Sequence, residues 1–194
     1  MSSTREKIAQ AADTLFYEQG FEATSFADIA GAVGISRGNF YHHFKTKDEI
    51  LDAVIDRRIA KTKGMMETWD AQGQTPLDRI GCFIRILIRN RAKITQFGCP
   101  VGSLVSELGK LNHVSQSRAN ALFSMFGDWL AEQFQEMGCD APTALRHARH
   151  LLARSQGVAT LSQALQDDEF IDGEVVLMLD YAAAAASEFT QEGN

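Results

Sequence analysis

Three prolines and three cysteines are all that the 194 residues contain of either. With so little proline, long helices meet few interruptions. Cys82, Cys99 and Cys139 are odd in number, far apart and without a CxxC pair, which argues against a disulfide framework or a cysteine zinc site. They read as reduced thiols. No run of about 18 apolar residues occurs, so no membrane span is expected. The opening MSSTREKIAQAAD lacks the apolar stretch of a signal peptide, and the chain reads as cytoplasmic. Catalytic patterns are missing too: there is no Ser-His-Asp logic, no phosphate loop and no pair of catalytic carboxylates. An enzyme, a cofactor and a metal centre are therefore not expected. His147 and His150 lie three apart, but Arg146, Arg149 and Arg154 surround them and no acid shares their turn.

Positive charge is also in short supply, with 19 Lys+Arg against 25 Asp+Glu and a net charge of −6. Its distribution matters more than its sum. Residues 1–63 hold 9 cations and 9 acids, whereas residues 64–194 hold 10 and 16. Within the first part, residues 36–63 hold 7 cations and 4 acids. A small neutral-to-basic head on an acidic body is the arrangement this implies.

What is abundant is helix signal. S-T-R-E at 3–6 has the capping-box pattern, and Ile8, Ala12, Leu15 and Phe16 follow at helical spacing until Gly20. S-F-A-D at 25–28 opens a short second helix to Val33, ended by Gly34. Ser36 caps a third through Phe44, and T-K-D-E at 46–49 opens a fourth that runs to about residue 70. Each proline stands where a new helix begins: Thr75-Pro76, Cys99-Pro100 and Ala141-Pro142. The helix after Pro76 carries Ile80, Phe83, Ile84, Leu87 and Ile88 on one stripe. Further helices are expected over 102–110, 115–137, 142–166 and 173–190. No strand-like alternation of useful length occurs. The fold class is all-α with about nine helices: a three-helix head over residues 1–46 and a larger helical bundle over 47–194.

Two short amphipathic helices joined by V-G-I-S form a helix-turn-helix, whose second helix enters the major groove of DNA. On a helical wheel centred on Phe40, Phe44 lies nearly above it, and Ile35 packs from outside the cap as a staple. The opposite face holds Gly38 and His42, flanked by Arg37, Tyr41 and Asn39. His43 falls about 60° from Phe40, at the edge of the core. Adjacent residues on a helix point about 100° apart, so His42 and His43 cannot share a metal. The outward set suits DNA: Arg37 for guanine, Asn39 for adenine, Tyr41 for phosphate, and Gly38 for close backbone approach. Lys47, and Thr24 with Ser25, stand at helix starts where free N–H groups favour an anion.

The stretch GFEATSFADIAGAVGISRGNFYHHFKTKDEIL resembles the N-terminal domain of the TetR family of bacterial transcriptional regulators. The resemblance lies in Gly20-Phe21, Thr24 to Ala30, Gly34 to Phe44, and Lys47 to Ile50. It implies a double-stranded DNA operator as partner, with Ser36, Arg37, Gly38, Asn39, Tyr41, His42 and Lys47 as contacts and His43 as a structural residue. It further implies a homodimer built on the last two long helices and a small-molecule effector bound in the body, of unknown identity, that changes the separation of the two heads. Repression is the family default.

For the dimer, YAAAAASEF at 181–189 suits close helix approach, and Val175, Val176, Leu179 and Ala183 pair as a stripe with Leu151, Leu152, Val158 and Leu161. Plain packing within the chain explains that stripe equally. For the effector, Trp69, Phe83, Leu87, Phe123, Phe126 and Trp129 are candidates, and simple core is the alternative role for each. The fourth helix, from Lys47 to Trp69, is the expected lever. FGCPVGSLVSELG at 97–109 resembles a stretch in a subset of TetR-like proteins. With Pro100 first in its helix, Cys99 stands at the helix N-terminus, where a thiol tends toward thiolate. Cys99 is accordingly a candidate sensor of oxidants or electrophiles, or else a loop cysteine that packs and turns the chain.

Overall fold

The computed structural model describes residues 3–191, and for 188–191 the helical backbone alone. Every regular element among the described residues is a helix: α1 (Thr4–Gln19), α2 (Phe26–Val33), α3 (Arg37–His43), α4 (Lys47–Gln72), α5 (Pro76–Ile84), α6 (Ile86–Arg89), α7 (Arg91–Phe97), α8 (Pro100–Lys110), α9 (Gln116–Glu136), α10 (Ala141–Leu165) and α11 (Glu169–Gln191). A break at Arg85 divides the helix that the apolar stripe suggests into α5 and α6, and α7 is a further helix after Asn90 that the stripe does not reach. The all-α expectation holds.

Local chemistry sets the helix ends. Ser3 and Glu6 close a capping box on α1, Ser25 and Asp28 on α2, and Thr75 and Asp78 on α5. The box at α4 is shifted. Thr46 Oγ1 accepts from Glu49 N–H at 3.1 Å, but the Glu49 carboxylate reaches back to Lys45 N–H at 2.7 Å. Pro76 and Pro142 lie in the first turns of α5 and α10, and Pro100 begins α8, as expected for a residue without an N–H to leave unpaired.

The helices form two compact units. The first comprises Met1–Thr62 and Pro100–Leu122, the second Lys63–Cys99 and Phe123–Asn194. In the first, Ile8, Ala12 and Phe16 of α1, Ile29 of α2 and Phe40 of α3 pack on Ile50, Leu51, Val54 and Ile55 of α4. Leu104 and Leu108 of α8 and Ala119 of α9 complete that core.

The second unit has its own core, built from α5 to α7, α10, α11 and the stretches of α4 and α9 that belong to it. Leu151, Val158 and Val175, expected in a stripe open to a second copy, are buried inside this core at 0%, 3% and 2% exposure. That stripe mixes two helix faces. The outward face of α10 carries Gly157, Leu161, Ala164 and Leu165, and that of α11 carries Val176, Leu177, Ala183 and Ala184. Phe189 of YAAAAASEF lies outside the described side chains. No described helix is long and apolar enough to cross a membrane.

Candidate nucleic-acid interface

Gly34 makes the turn between α2 and α3. Its left-handed backbone (φ 73°, ψ 34°) lets its N–H return to Ala30 O at 3.0 Å, and Ile35 N–H follows to the same carbonyl at 3.1 Å. A side chain there would strain the backbone. Ser36 then caps α3, with its Oγ accepting from Asn39 N–H at 3.3 Å.

One face of α3 is anchored. Phe40 is 1% exposed and Phe44 is fully buried. The Phe26 ring meets both Phe40 and Tyr41, at 5.3 and 5.7 Å between centroids. The Arg5 guanidinium, from the first turn of α1, donates to His43 O and lies over the Phe44 ring. The other face is open: Ser36, Arg37, Gly38, Asn39, Tyr41 and His42 are all exposed. His43 is half-buried, so the two histidines face different surroundings, as the helical period requires. A Cβ added at Gly38 would meet nothing within 4 Å. Tyr41 is fixed edge-on between its aromatic neighbours yet remains 44% exposed.

Three expected contacts sit differently. Thr24 is 1% exposed, and its hydroxyl donates to Gly20 O at 2.7 Å. Its side chain is committed to the turn after α1, and no face of it is offered to DNA. The Ser25 hydroxyl is exposed but occupied, donating to Asp28 Oδ2 at 2.6 Å and accepting from Asp28 N–H. These bonds from the Ser25 side chain and backbone hold the Asp28 carboxyl below its ordinary pKa. The Lys47 ammonium donates to Glu22 O at 3.0 Å and Thr24 O at 3.2 Å, and stands 4.5 Å from the Phe21 ring centroid. With three N–H bonds to give, it keeps one for an anion.

Two residues that the sequence did not mark also shape this surface. Lys45 is exposed, and its ammonium returns to Tyr41 O. Glu107 of α8 accepts from Phe21 N–H at 2.9 Å and Glu22 N–H at 2.8 Å, fixing the turn that leads into α2. A separation of 86 positions along the chain hides the contact between Glu107 and Phe21 from any local pattern.

In the second unit, four of the six effector candidates make ring contacts. Trp69 packs on Trp129 at 5.3 Å, Phe126 at 6.4 Å and Phe83 at 6.3 Å. Leu87 belongs to the same core, and Phe123 is half-buried. Cys82 and Cys99 are half-buried thiols, Cys139 a buried one. His147 Nδ1 and the Tyr181 hydroxyl are 2.7 Å apart, and no metal-ligand group of three occurs among the described residues.

Residues 8–54 match the family model described as bacterial regulatory proteins, tetR family. Over 181 residues the chain is 29% identical to an uncharacterized HTH-type transcriptional regulator in the lacX 3' region of Lactococcus lactis subsp. lactis, covering 92% of each protein. It is 33% identical over 91 residues to the HTH-type transcriptional regulator TtgR of Pseudomonas putida, covering 44% of this chain and 40% of that one. A TetR transcriptional regulator from Legionella pneumophila shares the fold, with a TM-score of 0.82 at 24% identity over 92% of this chain and 96% of that one.

Proposed function

Because this chain belongs to the TetR family of bacterial transcriptional regulators, we propose that it is a cytoplasmic, ligand-responsive repressor that binds a near-palindromic operator as a homodimer. Residues 1–46 are the DNA-binding head; residues 47–194 bind the effector and the second copy. The observation that carries this reading is the division of α3: Phe40 and Phe44 are buried, while Ser36, Arg37, Gly38, Asn39, Tyr41 and His42 stand exposed together. Among the described residues nothing pairs with the Arg37 guanidinium, which leaves its fork ready for a guanine edge. Lys47 serves phosphate with its remaining N–H, and Ser25 with what its cap leaves.

The second copy is held through the outward faces of α10 and α11. Leu161, Leu165, Val176 and Leu177 are 49%, 63%, 56% and 51% exposed there, large for apolar side chains on a soluble surface. A dimer presents two copies of α3 roughly 34 Å apart, one DNA turn.

The test is binding to inverted repeats in the DNA flanking the gene, measured by fluorescence anisotropy over a range of salt. Affinity falls steeply with salt, since phosphate contacts release counterions. Arg37→Ala relaxes sequence preference, and Lys47→Ala weakens binding to all sequences and lowers the salt slope by about 1. Val176→Glu yields a monomer in analytical ultracentrifugation. If neither Arg37→Ala nor Lys47→Ala changes DNA affinity, the assignment of this face is wrong.

A second reading has the signal arrive as an oxidant or electrophile at Cys99. What supports it is the position of the thiol, half-buried and directly before Pro100 at the start of α8. Cys99→Ser separates the two: unchanged release by electrophiles sinks the redox reading and leaves the ligand reading intact.

A further inference from the structure

His113, in the turn between α8 and α9, belongs to the first unit and packs against the turn that leads into α2. Its backbone is fixed on both sides. The N–H donates to Leu108 O at 2.9 Å, and the carbonyl accepts from Gln116 N–H at 3.0 Å. Both ring nitrogens are engaged as well, and the side chain is 14% exposed. Nδ1 accepts from Ser115 N–H at 3.1 Å, and Nε2 faces Asp48 Oδ1 at 3.3 Å. A backbone N–H can only donate, so Nδ1 carries no proton. The proton of the neutral ring is then on Nε2, where the Asp48 carboxylate accepts it.

The ring stands edge-on to Phe21, with 5.2 Å between centroids and 80° between planes. Phe21 is 2% exposed and also carries the Lys47 ammonium, 4.5 Å from its centroid. Lys47 is bonded to Glu22 O and Thr24 O of the same turn. Phe21 thus joins His113 to the cation placed for phosphate. The other charged groups around the ring are committed elsewhere or exposed. Glu107 of α8 accepts from Phe21 and Glu22 N–H. Asp52 of α4 accepts from the Ser115 hydroxyl at 3.2 Å and from Arg118 of α9 at 2.7 Å, and Arg118 also reaches Asp56. Glu22 and Lys110 are exposed.

Imidazole is the side chain whose charge ordinarily changes between about pH 5 and 8. A second proton on this ring goes to Nδ1, where it sets one donor against another, the Ser115 N–H. The ring then has to leave Ser115, and its stance against Phe21 goes with it. We propose that His113 is a positioning residue for DNA binding that acts with its ring uncharged: a proton on Nδ1 breaks the bond to Ser115, frees the flank of Phe21 and loosens the hold of Lys47 on phosphate. This role rests on the reading of Lys47 as a phosphate contact, and it adds a dependence on protons taken up outside the DNA-facing surface.

The experiment uses the full-length protein and a fluorescein-labelled DNA duplex of arbitrary sequence at low salt, where phosphate contacts alone support binding. Anisotropy gives Kd from about pH 8 down to about pH 5.5 for the parent and for His113→Asn. The asparagine oxygen accepts from Ser115 N–H as in an Asx turn, but the side chain does not titrate and is too short to flank Phe21. The other histidines are common to both proteins, so the ratio of the two Kd values isolates His113. At pH 8 the variant should bind about threefold to fivefold more weakly, as for a weakened cation–π contact. The ratio should approach one as the pH falls, because the parent loses what the variant never had. Nitrogen-15 shifts of the parent read the ring directly: the neutral proton is expected on Nε2, and the Ser115 amide should move together with the ring nitrogens.

A ratio above one that stays constant with pH makes His113 a packing residue and overturns the proposal. So does a ratio of one throughout, or a neutral ring with its proton on Nδ1. If His113→Asn fails to fold, the parent still decides: a Ser115 amide that stays fixed while the ring nitrogens move overturns the latch. A parent that binds no duplex at any pH takes down the DNA-contact reading and this role with it. Binding with a flat ratio takes down this role alone.

Discussion

The guanidinium carbon of Arg5 lies 4.0 Å from the centroid of the Phe44 ring, and the same group donates to the backbone carbonyl of His43. The first turn of α1 thereby clamps the C-terminal end of α3, the helix that presents the candidate DNA-reading face. Arg5 itself is exposed, so solvent weakens both interactions.

Arg5→Ala should cost about 1 kcal/mol of stability, from one charge-assisted hydrogen bond and one exposed cation–π contact. Urea titration measures it. Operator affinity should fall modestly without a change in preferred sequence, because Arg5 positions α3 and reads no base. A shift in sequence preference would place Arg5 on the DNA instead.

Gly38→Ala separates folding from binding. The added Cβ meets open space in the free protein. Alanine also suits a helix better than glycine, so stability should be unchanged or rise by about 0.5–1 kcal/mol. If Gly38 is there for close approach to the DNA backbone, operator affinity should nonetheless drop tenfold or more. A variant that is more stable and binds as tightly would show that α3 stands further from the DNA.

Asp28 ties stability to pH. Its carboxyl is held below the ordinary value by the Ser25 hydroxyl first and the Ser25 N–H second. A carboxyl with a depressed folded pKa contributes fully above its unfolded value, near 4, and loses that contribution as pH falls through the folded one. The melting-temperature gap between the parent and Asp28→Asn should therefore be open at pH 7 and close as the pH falls below about 4. A gap that stays constant into acid would mean that the carboxylate charge contributes nothing to the cap.

Glu107→Gln keeps the shape of the side chain but leaves a single acceptor oxygen for two backbone N–H groups, those of Phe21 and Glu22. A loss of about 1–2 kcal/mol is expected, since one partly buried N–H loses a charged acceptor. Hydrogen exchange at Phe21 and Glu22 should rise more than at Ile8 in the middle of α1. Uniform acceleration across all three would point to global destabilisation.

The sequence by itself determined whatever depends on neighbours along the chain. Capping boxes at Ser3 and Ser25, the turn at Gly34 and the proline starts all act within four residues, and the structure places them there. The 3.6-residue period alone separated His42 from His43 and put Phe40 inward, because one helix face must be buried. Tertiary structure decided the rest, through partners that no local period can reveal. Thr24 stands at a helix start, which by itself suits a DNA contact, yet its hydroxyl is buried on Gly20 O. Val175 and Leu151 share their composition with a dimer stripe, but packing turned them inward and left Val176 and Leu161 outside. Arg5 finds His43 across 38 residues, and Glu107 finds Phe21 across 86. Such contacts form only once distant helices are packed side by side.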